Sequence, residues 1–246
     1  MLKLLSLVMA VIVWGGLSLT LPPEIFPGPV ETARALWNEI AGGQVGTDLA
    51  MTLLRVVGGL LLALMLGVPI GVVMGLNRRA EAILDVWVMI GLTVPSLCYA
   101  IMAFIWFGLN EGAAIIAIAV TAAPSITINI WEGVKNIDTK LVAMARVFEA
   151  SRLVVLRRVL LPQILPYVMA SARFGLGIIW KITVLVELIG RPNGVGFKLF
   201  YWYQLADMRE VLAWTLLFTI IMVLIELVIL KPIEQRLFAW RPQVAV

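Results

Sequence analysis

Arg55, Lys181, Glu187 and Glu226 are charged side chains that stand inside otherwise apolar stretches of this chain. An ionisable group in such surroundings is paired or works on something, so each is a candidate for function. Arg55 lies within two turns of one end of its stretch and is expected to snorkel outward, and Glu226, close to Lys231, reads as structural. Lys181 is set about 8 residues, roughly 12 Å, from the end of its stretch. There it offers positive charge to an anionic ligand or pairs with a carboxylate on another helix. Glu187 falls on a different face and has Arg191 at i+4 as a possible partner. Two prolines add a second kind of chemistry, Pro95 in Thr93-Val94-Pro95-Ser96 and Pro124 in Ala123-Pro124-Ser125. Each removes a backbone donor and frees carbonyls that need a partner or water. Opened helices of this kind line solute pathways, although a kink satisfied by neighbouring Ser or Thr accounts for them equally. Pro95, Ser96, Pro124, Lys181 and Glu187 are therefore the pathway candidates.

Other chemistry is missing. The chain has no histidine and one cysteine, Cys98, which removes the usual general base, a disulfide framework and a cysteine metal site. No catalytic residue and no metal ligand set is nominated. No G-x-x-x-x-G-K-[ST] occurs, nor any Gly-Lys pair, so ATP is not held by the usual phosphate loop and energy must come from elsewhere. Paired acids and histidines of a proton relay are absent as well. A membrane enzyme is disfavoured on the same grounds.

The elements that must position these residues are helices in a bilayer. Of 246 residues, 62% are hydrophobic and 14% charged. The mean hydropathy of +1.02 exceeds what a soluble core of this size conceals, so the surplus faces lipid. Runs of about 20 apolar residues predict an all-α polytopic protein with about six spans, over 4–21, 49–76, 83–107, 112–131, 166–189 and 211–230. The first reads as an anchor, because Leu21-Pro22-Pro23 is a poor cleavage site for a signal peptide. Orientation follows the basic residues. One side collects Lys3, Arg78, Arg79, Lys135, Lys140, Arg146, Arg152, Arg157, Arg158, Arg173, Lys231, Arg236 and Arg241. The other holds Arg34, Arg191, Lys198 and Arg209. Both termini are thereby expected in the cytoplasm, and the net charge of +4 is too dispersed for nucleic acid.

The predicted organisation is an N-terminal span over 1–21, an outer connection over 22–48 and a five-helix core over 49–230. The core contains a cytoplasmic loop at 132–165, and a tail occupies 231–246. Residues 30–40 suggest a short interfacial helix, and the aromatics of 190–210 read as an interfacial belt. In the second span Gly59, Ala63, Gly67, Gly71 and Gly75 recur every four residues, a stripe that lets another helix approach closely.

The most informative stretch is 141–166, LVAMARVFEASRLVVLRRVLLPQILP. Asp138 can cap a short helix with Leu141, Met144, Ala145 and Phe148 at helical spacing. Ser151 can cap a second, with Leu153, Leu156 and Leu160 on one face, and Pro162 and Pro166 are expected to end it and open the fifth span. Arginines on lipid headgroups explain the charge of this loop, but not an apolar face outside the membrane.

This loop resembles that of ABC-importer permeases, whose pattern is Glu-Ala-Ala, three residues, Gly, nine residues, Ile, one residue, Leu-Pro. Here the closing element falls on Val159, Leu161 and Pro162, the glycine on Glu149, and the opening triplet on Ala143, Met144 and Ala145. A Glu at a left-handed position costs about 1 kcal/mol. The likeness extends to Leu54–Arg79, Trp106-Phe107-Gly108 and Ala170–Gly196, which are similar to the nitrate/sulfonate/taurine branch.

The resemblance implies a type I ABC-importer permease fold in a bacterial inner membrane. It implies a second permease copy as homodimer, two ATPase subunits carrying ATP and Mg, and an extracytoplasmic solute-binding protein. It also implies a small, anionic solute. No cofactor is expected on this chain. Met144, Ala145, Phe148, Glu149, Ala150, Ser151 and Arg152 are the implied ATPase-coupling residues. An ion-coupled secondary carrier is the alternative, but it needs an internal repeat and a coupling-ion site that the sequence lacks.

Overall fold

The computed structural model describes residues 2–43 and 45–232. The described residues are helical, without strands, and form two compact units. One contains the chain through Leu53 together with Glu187–Ile229, and the other Leu54–Val186. The tail expected over 231–246 lies, past Pro232, outside the described residues.

In the first unit, α1 (Leu2–Ser18) is followed by a Pro-rich turn in which Trp14 Nε1 donates to the Pro27 carbonyl at 3.0 Å. Helix α2 (Pro29–Ala41) starts with proline at N1 and Glu31 in its first turn, both favourable at a helix N-terminus. Its buried Thr32 and Ala35 belong to the face that packs on α11 (Met208–Leu224), whose core residues are Ala213, Trp214, Leu217 and Phe218. Asp207 caps α11 by accepting from the Arg209 and Glu210 amides. The aromatic stretch read as a connection is itself a helix, α10 (Val195–Gln204), packed against α11. Its glycine-rich start concealed it from a periodicity reading.

The second unit is organised around α6 (Glu111–Lys135), an alanine-rich helix buried on most of its circumference, as expected of a helix apolar all round. Against it lie α5 (Ser96–Phe107), α4 (Arg78–Thr93) and the glycine stripe of α3 (Val45–Leu76). A Cβ on Gly67 would sit 2.9 Å from the Ala123 carbonyl oxygen, and one on Gly71 2.6 Å from that of Thr127. Gly59 meets Ile118, Gly75 meets Val134, and Ala63 is fully buried. Thr127 Oγ1 donates to Ala123 O within its own helix and to Gly67 O across the contact. Backbone thus touches backbone along this seam.

Three expectations are corrected. The span predicted over 83–107 is two helices, α4 and α5, bent by 93° at Val94-Pro95. Pro95 forces Val94 into extended backbone (φ −68°, ψ 124°), and the Tyr99 hydroxyl donates to the Gly91 carbonyl across the corner. Pro124, by contrast, leaves α6 unbroken. The fifth span opens at Leu161 rather than 166: α8 (Arg152–Val155) runs through a π-helical turn, Leu156–Leu160, into α9 (Leu161–Gly190). That wider turn, with Leu161 N–H bonded to Leu156 O, carries the chain past Pro162 without a break.

Among the described residues, α3, α6 and α11 with its π-helical continuation are long and apolar enough to cross a membrane, and the α4–α5 pair is a fourth if taken as one. Helix α1 is shorter, and the 30-residue α9 carries Arg173, Lys181 and Glu187.

Candidate functional site

The loop between α6 and α9 is built from a few defined contacts. Asp138 Oδ1 accepts from Lys140 N–H at 2.8 Å and starts α7 (Thr139–Val147). The Asp138 amide donates to Gln163 Oε1, whose Nε2 in turn donates to Val159 O, so one side chain of α9 ties the entry of the loop to its exit. At its far end α7 stops in a Schellman turn: Ala150 N–H reaches back five residues to Ala145 O at 3.0 Å, and Glu149 between them has φ +50°. The left-handed position is occupied although no glycine is there. Ser151 takes the N-cap place of α8 in extended backbone, but its side chain makes no capping bond.

This turn divides the apolar residues. Ala145 points inward, while Met144, Val147 and Phe148 project outward, Phe148 being 78% and Val147 81% exposed. Glu149 and Arg152 flank them, both exposed. Behind the turn a cleft of about 1160 Å³ separates the loop, at Ala143, Ala150 and Arg152, from Leu76, Glu81 and Lys135. Lys135 is fixed by Glu81 at 2.6 Å and by the Trp131 ring below it. The loop therefore presents a tip of apolar side chains on a frame closed by the Asp138–Gln163–Val159 hydrogen bonds.

The pathway candidates are not gathered into one place. Pro95 and Ser96 form the corner between α4 and α5, and Pro124 lies in α6, its ring under Gly91 of α4. Lys181 is exposed and makes no hydrogen bond or ion pair within the described residues. It shares a stripe of exposed positions on α9 with Arg173, Phe174 and Gly177, whose missing Cβ would meet nothing within 4 Å. Glu187 is fully buried. Its Oε2 accepts from the Gly196 amide at 2.8 Å and from the Thr52 hydroxyl at 3.0 Å. Thr52 Oγ1 also accepts from Val195 N–H, and Asp48 Oδ1 accepts from Gly194 N–H.

Residues 63–231 match the model of the family described as binding-protein-dependent transport system inner membrane component. The chain belongs to this family. It is 31% identical over 227 residues to the putative aliphatic sulfonates transport permease protein of Bacillus subtilis (strain 168), covering 92% of this chain and 82% of that one. It is 32% identical over 228 residues to the taurine transport system permease protein of Escherichia coli (strain K12), covering 90% and 82%. Among solved structures, the inward-facing MetNI methionine ABC transporter superposes with a TM-score of 0.71 at 20% identity, over 81% of this chain and 98% of that one. That likeness shows the all-α fold of ABC-transporter permeases.

Two polar constellations of the permease escaped the sequence reading. Arg55, expected to snorkel, is fully buried, and its guanidinium grips Glu111 at the start of α6 through Nε (2.7 Å) and Nη2 (2.9 Å). The bidentate fork supplies the charge that a buried arginine requires. The second is the Asp48–Thr52–Glu187 group on Gly194–Gly196. Its legible signal was Asp48 and Thr52 at i, i+4 on one helix face, but nothing in the sequence showed which amides they would receive.

Proposed function

We propose that the permease is the membrane subunit of an ATP-driven importer, worked from the cytoplasm through the tip at Met144–Arg152. The observation that carries this reading is the apolar tip itself: Val147 and Phe148 are mostly exposed on a loop braced by Gln163. Water offers such side chains nothing, and a partner's cleft does. Two ATPase subunits, each holding ATP and Mg, would take the tips of two permease copies arranged as a homodimer. Closure of the ATPases then moves the spans as rigid bodies between inward and outward exposure. Val159, Leu161 and Pro162, in the π turn and at the start of α9, join the tip to the first membrane helix it moves. Both termini face the cytoplasm, as the placement of basic residues supports. An extracytoplasmic binding protein delivers the solute.

The solute in this reading is a small anion of the sulfonate kind, for which the relatives are named. Lys181 supports it. A lysine without a partner among the described residues, on a membrane helix, is costly in hydrocarbon and is accommodated in a water-filled path. Pro95 and Ser96, at the 93° corner between α4 and α5, would line the same path in this reading.

Two measurements test the proposal. A cysteine at Phe148 should crosslink to a co-expressed nucleotide-hydrolysing subunit, and a tip that crosslinks only to lipid rejects the coupling role. Lys181→Met should abolish uptake of labelled taurine or short alkanesulfonates while the complex still assembles, and unchanged uptake rejects the anion path.

A further inference from the structure

We propose that Glu187 is a positioning residue for transport, the centre of a clasp that fixes the start of α10. Three consecutive amides at that start, of Gly194, Val195 and Gly196, go to three different side chains: Asp48 (2.8 Å), Thr52 (2.9 Å) and Glu187 (2.8 Å). Helix starts leave such donors without backbone partners, and here each has been given its own acceptor. Two of those acceptors come from the first turns of α3 and one from the last turn of α9, so the start of α10 shifts only if those helix ends shift with it. Lys198 Nζ, one turn into α10, lies 3.7 Å from Asp48 Oδ2 and offsets part of the acidic charge.

The fit is close. Gly194 has φ +106°, and a Cβ there would fall 2.5 Å from the Glu187 carboxylate. Glu187 and Thr52 are fully buried and Asp48 nearly so, which leaves Glu187 with no open surface toward a solute. This assigns it to the scaffold of the first unit rather than to the pathway. The inference follows from acceptor geometry: one carboxylate oxygen, Oε2, receives both the Gly196 amide and the Thr52 hydroxyl and so ties α10 to α3. Transport therefore needs the acceptor at 187.

The test uses the complete transporter, with its ATPase and binding protein. Amide hydrogen exchange is followed over 194–198, and uptake of labelled taurine and short alkanesulfonates is measured beside it. Only the uptake arm rests on the function proposed above. The exchange arm needs no solute, so a wild-type complex that takes up neither probe discredits that solute class and leaves the clasp to be judged by exchange. Glu187→Ala should raise exchange across these amides at least tenfold. It should also lower the maximal uptake rate at least tenfold with an unchanged KM. Thr52→Val, nearly isosteric, should free Val195 alone and serves where the alanine variant does not assemble. Unchanged exchange in both Glu187→Ala and Thr52→Val overturns the inference, as does an uptake rate that Glu187→Ala leaves unchanged.

Discussion

Glu149 and Gly194 both sit at positive φ next to a helix end, and they are opposite kinds of turn. At Glu149 (φ +50°) α7 is closed by a bond from Ala150 to Ala145, and the side chain stands in solvent. At Gly194 (φ +106°) α10 is opened beneath a buried carboxylate, with no room for a Cβ. The first turn asks only for a left-handed backbone, which a non-glycine residue adopts at a cost of about 1–2 kcal/mol. The second asks for that and for empty space. The exposed turn therefore forms without a glycine, whereas the buried one has no substitute for it. Sequence spacing locates both kinds of position, and only burial tells them apart.

The sharpest way to break the comparison is Gly194→Ala. Backbone strain and the collision with Glu187 together should cost about 3 kcal/mol or more. The melting midpoint of the detergent-solubilised permease should fall by about 10 °C, and a midpoint within 2 °C of wild type would mean that the clasp yields easily. Next comes Gly71→Ala, which separates space from backbone conformation. Gly71 lies within regular helix, yet its Cβ would press on the Thr127 carbonyl oxygen at 2.6 Å, an atom that cannot swing away. The expected loss is about 1–3 kcal/mol, visible as a drop of several degrees in the same assay. Should Gly71→Ala be neutral, close approach of α3 to α6 is not what holds that seam.

How much of this was legible beforehand follows the same division. Helix positions were readable because apolar runs of membrane length leave few alternatives. The four-residue recurrence of Gly59 through Gly75 is a one-dimensional signal of a face. The corner at Val94-Pro95 was legible as a weak point but not as a 93° bend, since proline states what a helix cannot do and not where the chain goes instead. Helix α10 was hidden because its start is capped by Asp48, Thr52 and Glu187, distant in sequence, rather than by a local Ser or Asp. Arg55 was misread for a related reason. Its partner Glu111 is 56 residues away, and a charge near a helix end looks alike whether it snorkels or pairs.

The smallest effect belongs to Glu149→Gly, and it tests the exposed turn from the other side. Glycine removes the left-handed penalty of about 1–2 kcal/mol. It also loosens the unfolded chain, which takes back about 0.4–1 kcal/mol. The net gain should be about 0.5–1 kcal/mol, and it should appear locally, because the rest of the loop is braced by Gln163. Amide exchange at Ala150, whose N–H closes the turn onto Ala145, should slow by about two- to fivefold. No change there would mean that Glu149 gains something from its side chain that glycine cannot supply, and the turn would then be tuned by its glutamate rather than merely tolerating it.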